Sequence, residues 1–273
     1  AEAGLSSSAA IGLAYLAILA AANDLSLSPI ELVDLDRQIE NNYLGLKNGI
    51  LDPAAIALSE SGCLSLIDCK RQVCERIAQG EPFRFVAVYS GIREPLVGSS
   101  KFNDRVAECM NAGAALRRLA GERNATPQPL GNTAHDEYEE LKDGLEPTLA
   151  RRARHFFTES RRVLAGAEAW RAGDAATFGA LMNESALSSI HNYETGSPEL
   201  IALFETLRDA EGVHGARFCG AGFRGCCVAL VERNFDLDSL LDVVSERYLA
   251  RYPQFASDMW AIETGAEAGL GRP

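Results

Sequence analysis

The chain has 273 residues, 47 % apolar and 23 % charged, with 38 acidic residues against 26 basic ones and a formal net charge of −12. That is enough for one large domain or two ordinary ones around a real core. So acidic a chain repels phosphate backbones at long range, which argues against nucleic acid as a partner. A phosphate ligand would need a local cradle or a metal ion.

GLSSSAAIGLAYLAILAAAN, beginning at Gly4, runs three serines into an apolar stretch that predicts a helix over residues 8–22. Its apolar part is about fourteen residues long, short of the roughly twenty that cross a bilayer. No basic region precedes it as in a signal peptide. The missing initiator methionine, and a start at a helix edge, lead to the expectation of a fragment of a longer chain. SPIELVDLDRQIENNYLG predicts a second helix, with Ser28 as N-cap, Pro29 in the first turn and Ile30, Leu32, Val33, Leu35 and Ile39 as its apolar positions. KNGILDPAAIALSESG reads as a turn and a short helix with Asp52 at its start. CLSLIDC and FRFVAVYSG read as strands.

A mostly helical middle follows, with helices over residues 100–120, 145–173 and 174–192 and a Ser-Pro-capped one from Ser197. GERNATPQPLGN is a polar loop. The end returns to strand: GARFCG, a glycine turn, then CCVALVE. The helix DLDSLLDVVSERYLARY and a final strand, DMWAIETG, close the chain. AQGEP, near Gly80, interrupts the pattern and divides the chain into units 1–79 and 80–273. There is no internal repeat or low-complexity tract. Seven cysteines without a CxxC pair disfavour zinc or a disulfide framework and favour a reducing compartment, with Cys226 and Cys227 as buried small apolar residues.

Three constellations carry chemistry. GLSSSAA, entering a helix, offers unpaired N–H groups and hydroxyls to an anion; the alternative is a plain N-cap. GAGFRG, Gly220 to Gly225, matches G-x-G-x-x-G, but a strand follows where the dinucleotide fingerprint needs a helix. Such a turn implies positive φ or a close approach to the backbone. Glu40 and Asp52, twelve residues apart around a glycine-bearing turn, could hold Mg²⁺ and accept a proton. Their alternatives are a solvated helix end and a helix cap.

Taken together, GLSSSAA, ENNYLG…GILDP, VYSGIRE, KFNDRVAEC, LMNESALSSIHNYE and GARFCGAGFRGCCVAL resemble the galacto-, homoserine, mevalonate and phosphomevalonate (GHMP) kinase superfamily along nearly the whole chain, galactokinases above all. ENNYLGLKNGILD, SSIHNYETGSPELI and the arginine in GFRGCC are similar, more narrowly, to the plant-type galacturonokinase group. The resemblance implies an α+β, two-domain fold. The first domain would be a mixed sheet, incomplete here, with the phosphate-binding helix. The second would be ferredoxin-like with added helices, and ATP would lie between them.

Carried over position by position, the resemblance puts Gly4, Ser6, Ser7, Ser8, Gly220, Gly222 and Gly225 around ATP, and Ser8 and Glu40 on Mg²⁺. It makes Asp52 the catalytic base or electrostatic anchor at the anomeric hydroxyl. Gly49, Lys47 and Arg224 would face the substrate, the two cations as candidates for reading a sugar carboxylate; Arg93 is shared with galactokinases and cannot discriminate. Two departures stand out. Pro53 replaces the family's usual glutamine, and the early R-x-x-x-G-E/A-H-x-D sugar motif is absent. The implied activity is ATP-dependent phosphorylation of galacturonate at the anomeric oxygen, by a cytosolic monomer with neither nucleic-acid nor membrane partner. The alternatives are a galactokinase, arabinokinase or glucuronokinase, a non-catalytic sugar sensor, or an inactive fragment.

Overall fold

The computed structural model describes residues 5–45, 47–79, 83–93, 100–220 and 222–265. Among them no helix is long and apolar enough to cross a membrane.

Three helices open the chain: α1 (Ser7–Ala22), α2 (Pro29–Asn42) and α3 (Leu51–Leu58). The start of α2 is closed by a capping box. The Ser28 hydroxyl accepts from the Glu31 N–H, and the Glu31 carboxylate accepts from the Ser28 N–H at 2.7 Å. Each thereby satisfies a backbone donor or side chain of the other, and Pro29 gives up no needed donor. Leu13, Leu32, Val33, Ile50, Ala54 and Ala57 form the core shared by the three helices. The short loop of residues 23–28 and the mid-helix contact of Gly12 with Asp36 make α1 and α2 an antiparallel hairpin.

The inward face of α2 departs from the predicted apolar stripe. Leu32 and Val33 are buried as expected, but Ile39 is 43 % exposed, while Asp36 and Glu40 are buried. Hydrophobicity was a poor guide here because Gly12 leaves room on α1 for a carboxylate and for nothing larger.

An antiparallel hairpin follows, β1 (Cys63–Asp68) with β2 (Val73–Ala78). The second strand, VCERIA, was not foreseen; its residues are mostly exposed and the adjacent Glu75 and Arg76 break any clean alternation. The hairpin stands where a mixed sheet was expected: among the described residues of the first unit, the only strand pairing is this antiparallel one. It is anchored to the rest of the chain by the Trp170 indole N–H, which donates to the Ile77 carbonyl at 3.1 Å, and Phe83 stacks on the same ring at 4.5 Å. The boundary predicted near Gly80 lies outside the described residues.

The larger part is a four-stranded antiparallel sheet of β3 (Arg84–Tyr89), β4 (Val213–Phe218), β5 (Cys226–Val231) and β6 (Trp260–Thr264), ordered β4-β5-β3-β6. Its first strand lies between the third and fourth and its second sits outside the third, the ferredoxin-like order that was expected. Between β3 and β4 run α4 (Ser100–Leu119), α5 (His135–Leu141, not anticipated), α6 (Pro147–Ala172), α7 (Ala175–Ser188) and α8 (Pro198–Arg208); α9 (Leu237–Val244) joins β5 to β6. α7 and α9 each end in a π-turn, Ser189–Tyr193 and Ser245–Leu249.

The main core joins β3–β5 to α8 and α9 through Val86, Val88, Leu200, Leu203, Phe204, Leu240 and Tyr248. Cys226 and Cys227 are fully buried within the sheet, as the sequence implied, and none of the seven cysteines forms a disulfide. Gly215 has a packing role: a Cβ there would fall 1.9 Å from the Gly179 carbonyl oxygen, so two glycines let α7 lie directly on β4.

Candidate active site

The first helix begins with strain. Ser6, its N-cap, is left-handed at φ 55°, and its side chain makes no capping hydrogen bond. The plain-cap reading of the serines therefore fails. The first helical bond runs from the Ala10 N–H to the Ser6 carbonyl, so the N–H groups of Ser7, Ser8 and Ala9 have no helical acceptor. A non-glycine residue in this region costs about 1–2 kcal/mol. Here it turns a row of N–H groups to one side, the kind of concavity that takes an anion. Gly4 lies outside the described residues.

At the far end of α2, Glu40 is 4 % exposed. One carboxylate oxygen accepts from the Asn48 amide, while the other, Oε1, has no partner. Asn41 in turn donates to the carbonyls of Arg37 and Asn48 at 2.9 and 3.0 Å, pinning the following loop to the helix. Glu40 is thus no solvated helix end. One turn earlier, Asp36 is 1 % exposed and its Oδ2 is also unpartnered. Burial, and then the charge of Glu40, push its carboxyl up to about 6. Sequence reasoning missed Asp36; the available signal was its i, i+4 spacing from Glu40.

Asp52 is the second residue of α3, whose N-cap is Ile50. It is half-buried and forms no hydrogen bond among the described residues, so it is not the helix cap. Pro53 is buried in the same first turn, where its missing N–H costs nothing. Lys47 and Gly49 are exposed on the loop between α2 and α3, and open space surrounds Gly49.

The glycine turn adopts the positive φ the sequence implied: 61° at Gly220, 76° at Gly222 and 97° at Gly225. Its neck is closed by the Cys219 N–H, donating to the Cys226 carbonyl at 2.9 Å, and by the Ser90 N–H, donating to Gly225 at 3.0 Å. A Cβ on Gly222 would meet Thr195 Oγ1 at 3.1 Å.

Thr195 is itself held by its N–H to the Ser189 carbonyl at 3.0 Å and follows Glu194, left-handed at φ 57°. Behind them lies Arg152, 1 % exposed, which donates to Glu108 and to the Asn192 carbonyl, both at 2.6 Å, and to Glu194. Although the segment LMNESALSSIHNYE had been noted, none of these residues was singled out. Their roles depend on Arg152, which is more than thirty residues away in the chain.

Arg224, on the turn, is half-buried, and its charge acts on the Tyr89 hydroxyl, whose pKa burial raises. Arg93 pairs with Asp258 at 2.5 Å. Ser6–Ser8, Glu40, Lys47, Gly49 and Asp52 therefore belong to the three-helix unit, and Gly220–Gly225 with Arg224 to the four-stranded sheet.

Two family models match the chain: the GHMP kinases N terminal domain over residues 1–60 and the GHMP kinases C terminal domain over residues 167–250. The structure is similar to that of Lactococcus lactis galactokinase complexed with galactose, with a TM-score of 0.85 and 32 % identity, covering 99 % of this chain and 67 % of that one. The chain belongs to the GHMP kinases. Among curated proteins, this GHMP kinase chain is 46 % identical to the galacturonokinase of Arabidopsis thaliana over 94 % of its length, and 32 % identical to the galactokinase of Lacticaseibacillus casei over 90 %. It spans 61 % and 62 % of those two proteins.

Such kinases use ATP, and two features of the chain fit a metal-bound nucleotide. The N–H groups at the start of α1, which have no helical acceptor, suit phosphate oxygens. The orphaned Glu40 oxygen suits a hard cation. No group of three or more histidine, cysteine or acidic side chains stands ready for a metal among the described residues. A cation here would therefore draw other ligands from phosphate, hydroxyl or water.

Proposed function

We propose that the protein containing this chain is a sugar kinase that phosphorylates the anomeric hydroxyl of galacturonate, giving the 1-phosphate and ADP. The observation that carries the reading is Asp52: a half-buried carboxylate with no hydrogen bond among the described residues, set at a helix start and joined by a pinned loop to the buried Glu40. The 46 % identity to a galacturonokinase supports the choice of sugar acid.

In this reading the α1 N–H groups and Ser6–Ser8 hold phosphate oxygens, with the Gly220–Gly225 turn approaching from the sheet of the second domain. The domains are 1–79 and 80–273. Mg²⁺, held by Ser8 and Glu40, would supply neutralising charge when bound. Asp52 orients the attacking hydroxyl and accepts its proton as the sugar O–P bond forms and the bond from the γ-phosphorus to the departing ADP oxygen breaks. Phosphoryl transfer needs little covalent help, so the alignment Asp52 gives the hydroxyl matters more than its proton affinity.

Lys47, exposed on the loop five residues before Asp52, is the first candidate for the C6 carboxylate, and Arg224 the second. A charged hydrogen bond there would contribute about 1.5–3 kcal/mol, roughly ten- to a hundredfold in selectivity. Seven cysteines with no disulfide among them suit a reducing cytosol.

The test is ADP release by the full-length protein with galacturonate, galactose, glucuronate and arabinose side by side. Galacturonate should give the highest kcat/KM. Asp52→Asn should lower turnover by roughly 10²-fold or more while sparing nucleotide binding. Lys47→Met should lose galacturonate use selectively. Full activity in Asp52→Asn would remove it from the mechanism.

A further inference from the structure

α2 buries two carboxylates on one face. Asp36 and Glu40 are four residues apart, so their side chains lie one above the other. They are 1 % and 4 % exposed, and each retains an oxygen without a partner, Oδ2 of Asp36 and Oε1 of Glu40. Neither has an ion pair among the described residues, and the one donor recorded for either is the neutral Asn48 amide on Glu40. Two buried anions a turn apart repel each other and forfeit their hydration. A protein normally offsets such a pair with a cation.

The facing helix is shaped to admit these groups. Asp36 Oδ1 lies where a Cβ on Gly12 would fall, 2.0 Å from that position, so only glycine lets the carboxylate sit against α1. Because α1 and α2 run antiparallel, one turn on from Asp36 along α2 leads to Glu40, and one turn back from Gly12 along α1 leads to Ser8 and the N–H groups that have no helical acceptor. Both carboxylates therefore stand in the seam that opens toward the start of α1.

We propose that Asp36 is a second carboxylate of the divalent-cation seat, sharing with Glu40 the neutralisation of one Mg²⁺ or Mn²⁺ at the α1–α2 seam. Carboxylate oxygens with no nitrogen or sulfur donor select hard cations of this kind. Mg²⁺ commonly takes one or two carboxylates and fills the rest of its shell with water and phosphate. The inference deepens the kinase reading without depending on the identity of the sugar.

The probe is Mn²⁺ alone, titrated into the nucleotide-free full-length protein and followed by the loss of its free paramagnetic signal. The native protein should show one saturable site, and Mn²⁺ should raise its melting temperature. Asp36→Asn keeps the shape against Gly12 and removes one charge. It should weaken Mn²⁺ binding about tenfold or more, and Glu40→Gln should do at least as much.

Gly12→Ala leaves both carboxylates in place but drives a methyl group into Asp36; it should weaken Mn²⁺ binding as well, and it serves if Asp36→Asn fails to fold. Native-like Mn²⁺ affinity in Asp36→Asn, or absence of a Mn²⁺ site in the native protein, overturns the proposal. ADP release separates the two readings. If Glu40→Gln abolishes kinase activity while Asp36→Asn keeps normal Mn²⁺ binding, the kinase reading stands and the role of Asp36 falls.

Discussion

The hydroxyl of Tyr248 donates to the carbonyl of Ser90 at 2.6 Å, and the N–H of the same serine donates to the carbonyl of Gly225. Tyr248 is fully buried in the π-turn after α9, so a single serine at the end of β3 ties the closing helix to the glycine turn. Tyr248→Phe leaves the ring in place and removes the donor. The buried Ser90 carbonyl would lose its partner at a cost of about 1–2 kcal/mol. The expected result is a melting temperature lower by several degrees, read by calorimetry. An unchanged value would mean that the hydrogen bond contributes nothing.

Gly222→Ala tests whether the turn must keep its shape. At φ 76°, with Thr195 Oγ1 at 3.1 Å from the new methyl, alanine is both conformationally strained and crowded. The strain alone is about 1–2 kcal/mol. If the turn approaches phosphate, the KM for ATP should rise several-fold, more than kcat falls. Adding Thr195→Ala, which removes the Oγ1 that the new methyl meets, should recover part of the loss. Steady-state kinetics at saturating sugar reads both effects.

Arg152 is the buried cation among the described residues, with Glu108, Glu194 and the Asn192 carbonyl around it. Glu108 and Glu194 are both held below the usual carboxylate range; for Glu108 burial, the largest single influence, pushes upward but is outweighed by the hydrogen bonds and charges of Arg152 and Arg105 together, while for Glu194 the chief cause is its hydrogen bond to Arg152. Arg152→Met keeps the bulk and leaves those acceptors without the cation. Stability should fall by about 3 kcal/mol, the lower end for a broken buried pair because both glutamates retain some solvent. Arg152→Lys should recover only part, since one ammonium cannot serve three acceptors in the guanidinium's fixed geometry. Urea unfolding of the two variants checks the order.

His155 makes stability depend on pH. Its ring stacks on Tyr193 at 4.8 Å, and its Nδ1 lies 3.0 Å from the Ser188 hydroxyl. Burial lowers its pKa to about 4, against the partly opposing charge of Glu159. The unfolded chain binds a proton near 6.5, the folded chain only near 4. Between those values the unfolded state holds more protons, so stability falls as the pH drops from about 6.5 toward 4. His155→Gln should flatten this part of the curve, as followed by urea midpoints at half-unit steps. An equally steep fall in the variant would assign the slope to another group.

Much of the fold was legible locally. Ser28-Pro29 and Ser197-Pro198 announce helix starts because a hydroxyl two or three residues ahead of unpaired N–H groups is sufficient cause. Gly220, Gly222 and Gly225 announce positive φ because no other residue takes it without strain. The alternation in β1, the strand β3 and the buried pair Cys226–Cys227 were equally readable, and the resemblance of ENNYLG…GILDP to the GHMP kinases brought Glu40 and Asp52 into view as site candidates.

What the sequence by itself determined were the features caused by neighbours within a few residues: caps, turns, the existence of most helices and strands, and the chemistry offered by the serines and carboxylates. Tertiary structure alone decided which groups are buried and against what. Asp36 looks like a surface residue until Gly12, from another helix, removes its water. β2 has no periodicity of its own and exists because β1 pairs with it. Arg152 gains its role only when residues from α4 and from the turn after α7 converge on it. Burial and pairing depend on partners far away in the chain, and no local pattern records them.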